Sequence, residues 1–98
     1  MRIAIPHSLP RDEVRRRIRE RSGELNDLVP GGMGTVETDW RDEDTLGLTV
    51  IAMGQRIEGS ITVADSEMIV EFDLPGQLGF IGGMIEQKIR EKGQKLLL

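Results

Sequence analysis

The sequence predicts an α+β domain: an antiparallel sheet of about five strands, in the order β-α-β-β-β-β-α, with two helices covering one face. Three observations carry this. Between Thr35 and Leu74 apolar and polar residues alternate, as in Leu46, Leu48, Val50, Ala52, then Ile57, Ile61, Val63, then Met68, Val70, Phe72, Leu74. Side chains two apart on a strand share a face, so these residues define one apolar sheet face. Short polar turns separate the runs, which suits hairpins. On either side, apolar residues recur with the helical period.

Each element follows from its residues. Ile3 and Ile5 mark a short strand over Arg2 to Pro6, stopped by the proline. Pro10 suits the first turn of a helix, and Asp12 and Glu13 suit its positive end. This helix is expected to run to about Val29, before Pro30-Gly31-Gly32. Val14, Ile18, Leu25, Leu28 and Val29 fall on one side of it, while Arg15, Arg16 and Arg19 face away. Arg21 falls within the apolar stripe. Either its stem lies over apolar surface with the guanidinium in water, or it forms a structural ion pair with a carboxylate from the sheet.

The strands are expected over Thr35 to Arg41, Thr45 to Met53, Arg56 to Ala64 and Glu67 to Leu74. Trp40 should point inward at the end of the core. Gly54-Gln55 makes a tight hairpin in which glycine permits positive φ. Asp42-Glu43-Asp44 reads as a solvated turn, because the spacing and glycine of a calcium loop are absent. The last helix is expected over about Gln77 to Leu97, with Leu78, Ile81, Ile85, Ile89 and Leu96 facing the core. Phe80 and Met84 fall on a different flank, and the glycines at 76, 79, 82 and 83 weaken the helix's first half. Leu78 to Met84 is therefore the candidate interaction patch, joined by Ile51, Met53 and Ile69, which interrupt the otherwise polar outer sheet face.

Composition limits the function. Ninety-eight residues make one domain, and 38% hydrophobic residues support a core only if both helices dock on the sheet. Pairing into a homodimer would relieve that pressure, and a homodimer is expected from the edge strands and leftover apolar residues. The absence of cysteine removes disulfide and thiolate chemistry and favours the cytoplasm. The start is too short for a signal peptide, and no apolar run is long enough to span a membrane. Net charge is −4, but residues 35–75 hold ten acids against two arginines, while both flanks are mildly basic. An acidic ribbon argues against nucleic-acid binding, although the arginine-rich helix keeps an RNA-binding reading open as a weaker alternative.

Chemistry is sparse. His7, the one histidine, is the only candidate general base, but a histidine between prolines is ordinarily a loop or capping residue. A metal site would have to draw its other ligands from carboxylates. The Gly31-Gly32-Met33-Gly34 connection lacks the Gly-Lys-Ser/Thr ending of a phosphate cradle. No enzyme, cofactor or metal is expected.

The strand leading into Pro6-His7-Ser8-Leu9, the helix holding Arg16, Arg17 and Arg21, and Trp40 ahead of an acidic turn form one set of motifs. Ile57-Glu58-Gly59-Ser60-Ile61 and the run from Ile85-Glu86 through Ile89 to a leucine-rich end complete it. In these motifs the chain resembles, nearly end to end, the polyhydroxyalkanoic acid system proteins of the polyhydroxyalkanoate granule region. The resemblance implies an accessory role in bacterial polyester storage, with a granule surface or granule-bound protein as partner, and no catalytic residues. The connector and the glycines of the last helix depart from the family's pattern. An alternative from the order of elements is a small helix-grip-like domain that binds a lipid or other apolar ligand, its pocket filled by Trp40 and Phe72.

Overall fold

The computed structural model describes residues 1–21, 23, 34–52, 54–73, 79 and 82–97. The chain forms β1 (Arg2–Pro6), α1 (Arg11–Glu20), β2 (Gly34–Trp40), β3 (Thr45–Ala52), β4 (Gln55–Val63), β5 (Glu67–Phe72) and α2 (Gly82–Leu97). The strands form one antiparallel sheet in the order β1-β5-β4-β3-β2. The three hairpins place β2 to β5 in sequence order, and β1 returns to the far edge beside β5.

The register puts the alternating residues on one face. Ile3 lies opposite Val70, Val70 opposite Ile61, and Ile61 opposite Leu46. All four are at most 5% exposed, and Val14 and Ile18 of α1 with Ile85 and Ile89 of α2 close over the same face. Burying one such side chain stabilises by about 1.5–3 kcal/mol, so this cluster is the main source of stability. Trp40 and Val36 pack half-buried at its β2 end.

Glycine sets two close approaches. Gly59 lies between Leu48 and Phe72 in register, and the Phe72 ring lies where its Cβ would be. Gly93 of α2 faces Ile5 and Met68 so closely that a Cβ there would strike the Ile5 side chain. Gly54 turns the β3–β4 hairpin with φ of 73°.

The elements differ from the sequence reading mainly at their ends. Helix α1 stops at Glu20, well short of Val29, and Arg21 has left helical geometry at φ −111° and ψ 17°. Ser22-Gly23 follow, a pair with poor helix propensity. Pro10 stands at the N-cap, just outside the first turn. Helix α2 begins at Gly82. Leu25, Leu28, Val29 and Leu74 lie outside the described residues.

Candidate functional site

Arg21, expected either to reach water or to pair with a sheet carboxylate, is exposed at the α1 C-cap and makes no ion pair among the described residues. The helix ends too early to carry it over the sheet. The α1 arginines that pair with carboxylates of the sheet's turns are Arg11 and Arg15, one turn apart. Arg15 Nη1 lies 2.8 Å from Asp44 Oδ1 and 3.8 Å from Glu43 Oε2. Arg11 lies 3.1 Å from both Asp44 Oδ2 and Asp65 Oδ1. Two arginines thus tie α1 to the β2–β3 and β4–β5 turns at one end of the sheet. Asp44 also donates its backbone N–H to Asp42 Oδ1 (2.8 Å), and its carbonyl accepts from Val63 N–H (2.7 Å). Asp42 and Glu43 are exposed, as expected of a solvated turn, while Asp44 is a junction held by both arginines.

Arg19 is exposed, as expected, and lies over the Trp40 ring, 4.9 Å from the centroid. Arg17 Nη1 donates to the Leu96 carbonyl at 2.8 Å, tying α1 to the last turn of α2. Glu13 pairs with Arg16 and, at 3.0 Å, with Arg17. Hydrogen bonds from these two arginines hold the Glu13 carboxyl below its ordinary pKa of 4.5.

His7 is occupied by backbone. Its Nδ1 accepts from Leu9 N–H at 3.1 Å, and Nε2 donates to the Ala64 carbonyl at 3.0 Å. An amide donor at Nδ1 fixes the neutral tautomer with the proton on Nε2. His7 N–H donates to Ser66 O (2.9 Å), continuing the β1–β5 ladder. The ring is a strut between the loop before α1 and the β4–β5 turn.

The outer sheet face carries a depression of about 350 Å³, lined by Arg2, Arg41, Glu58, Ser60, Glu71 and Asp73 among others. Arg41 reaches it by lying across Gly47, whose added Cβ would come 2.8 Å from Arg41 Nε. The lining mixes both charges on an open surface. Among the described residues, no group of three or more His, Cys, Asp or Glu side chains could hold a metal ion.

Of the expected interaction patch, Met84 is half exposed in the first turn of α2. Leu78, Phe80 and Met53 lie outside the described residues. Ile51 and Ile69 are partly buried but not neighbours. Ile51 pairs with Arg56 and Ile69 with Thr62, so six residues of β4, roughly 20 Å of strand, separate their rows. They are two separate apolar spots.

Comparison with known proteins turns on one match. The family described as "Putative polyhydroxyalkanoic acid system protein" covers residues 1–97. The chain belongs to this family. A search of curated proteins and a search of solved structures each returned no match. Two of the motifs singled out in the sequence have physical roles here: Gly59 makes room for Phe72, and the acidic turn after Trp40 receives Arg11 and Arg15. No described helix is long and apolar enough to cross a membrane. Sequence reasoning missed the Arg15–Asp44 junction and Gly93. Arg11 and Arg15 at i, i+4 opposite a triple acid was a usable signal for the first. The stripe Ile85, Ile89, Gly93, with a glycine at the next helical step, was one for the second.

Proposed function

We propose that the protein is a non-catalytic accessory component of polyhydroxyalkanoate storage, cytoplasmic, and bound to the granule surface or to a protein on it. The observation that carries this reading is the family match over residues 1–97. Two features support it. The distinctive polar side chains are engaged in holding the fold: His7 on backbone, and Arg11, Arg15 and Arg17 on α1's neighbours. Met84 offers an exposed apolar side chain on a helix that also carries Lys88, Arg90 and Lys95. Amphipathic helices bind interfaces in proportion to buried apolar area and charge attraction.

Co-sedimentation with washed polyhydroxyalkanoate granules tests the proposal. The wild-type protein should pellet with the granules. Met84→Asp should weaken binding about tenfold, the factor given by about 1.4 kcal/mol of lost apolar contact. Wild-type protein left in the supernatant refutes granule binding. Unchanged recovery of Met84→Asp removes Met84 from the contact.

A further inference from the structure

We propose that the depression on the outer sheet face binds a short hydroxy acid, with Arg41 and Ser60 taking the carboxylate and Glu71 the hydroxyl. The inference rests on the polyester-storage reading above and names a ligand class for it.

One row of the outer face builds the site. Gly47 of β3 lies opposite Ser60 of β4, Ser60 opposite Glu71 of β5, and Glu71 opposite Arg2 of β1. Neighbouring strands are about 4.8 Å apart, so the row runs for roughly 14 Å. Arg41 joins it from just beyond β2, its side chain lying across Gly47. A glycine inside a strand weakens it and marks a close approach. At position 47 a Cβ would displace the Arg41 guanidinium. Ser60, Glu71 and both arginines line the depression, whose volume of about 350 Å³ is at the lower end for small-molecule sites.

The charges there lack partners. On α1, Arg11, Arg15, Arg16 and Arg17 each pair with a carboxylate. Among the described residues, the side chains of Arg2, Arg41 and Glu71 make no hydrogen bond or ion pair. A guanidinium presents two parallel N–H groups to a carboxylate. Glu58, Glu71 and Asp73 disfavour a simple anion, but they accept hydrogen bonds from a ligand that also carries a donor. A carboxylate and a hydroxyl on one small molecule meet both conditions. In a 3-hydroxy acid the two groups lie about one strand spacing apart. A carboxylate at Arg41 and Ser60 therefore sets the hydroxyl beside Glu71. Inside a polyester chain both groups are consumed in ester links, so the ligand is the free acid that hydrolysis of the polymer releases.

Titration with sodium 3-hydroxybutyrate, followed by amide NMR shifts, tests this. The Gly47, Ser60 and Glu71 amides should shift together and saturate with a Kd on the order of 1 mM. Butyrate, which lacks the hydroxyl, and the methyl ester, which lacks the charge, should each bind at least about tenfold more weakly. Arg41→Gln should weaken binding by a similar factor and leave the melting curve as in wild type, because its side chain is exposed and unbonded. No saturable shift in wild type, or equal binding by Arg41→Gln, overturns the site. Butyrate binding as tightly as the hydroxy acid overturns the ligand class, and 3-aminobutyrate binding more tightly overturns it in favour of a zwitterion. Wild-type protein that pellets with granules but fails the titration overturns the site alone. Wild-type protein that passes the titration but stays off granules overturns granule binding and keeps the site.

Discussion

At position 59 a methyl group would come within 2.6 Å of Phe72 Cδ1 and meet the Glu71 carbonyl oxygen. Alternation along β4 puts Gly59 on the apolar face, but only the register with β5 shows which ring needs the space. That residue's importance was legible as a motif and its reason was not, because cross-strand neighbours are not written in local sequence. His7 is similar: its confinement between two prolines was plain, its bond to Ala64 fifty-seven residues away was not. At this scale Glu13 gives a pH prediction. Its folded-state pKa is depressed by hydrogen bonds from Arg16 and Arg17, so its contribution is present above about pH 4.5 and fades as pH falls through the depressed value. Glu13→Gln should therefore lose less stability than wild type on acidification from about pH 5 to pH 2, read by chemical denaturation at each pH. Parallel losses in the two proteins would contradict the pairing.

Among elements, the strands were legible to within one or two residues and the end of α1 was not. Strand ends coincide with turn residues such as Gly54 and Asp65-Ser66, which act locally. Helix α1 ends in an Arg21 C-cap of non-helical geometry, ahead of Ser22-Gly23, a pair of low helix propensity. The junction at Asp44 makes the position of α1 testable. Its side chain is 29% exposed and Arg15's is 21%, so the pair is only partly screened. A double-mutant cycle with Asp44→Asn and Arg15→Met should return a coupling of about 0.5–1 kcal/mol that shrinks in high salt. A coupling of zero at low salt would detach α1 from that turn.

For the whole molecule, the division into a greasy inner face and a polar outer one was readable from Leu46 to Phe72 and is what the register shows. Val70 tests it from within the sheet: it is 2% exposed between Ile3 and Ile61. Val70→Asp should abolish cooperative melting by circular dichroism, since an unpaired buried charge costs several kcal/mol. A melting curve like that of wild type would place this strand the other way up. The interaction patch was less legible, because Ile51 and Ile69 look adjacent as outward apolar residues until β4 is seen between them. The same strand order has a kinetic consequence on the ribosome. Ile3 and Ile5 emerge well ahead of their partners Val70 and Met68, so at roughly 5–20 residues per second they wait seconds for shelter. Until β5 is made, β1 stays an unsheltered apolar strand, and a chaperone that grips emerging apolar segments has its natural client there.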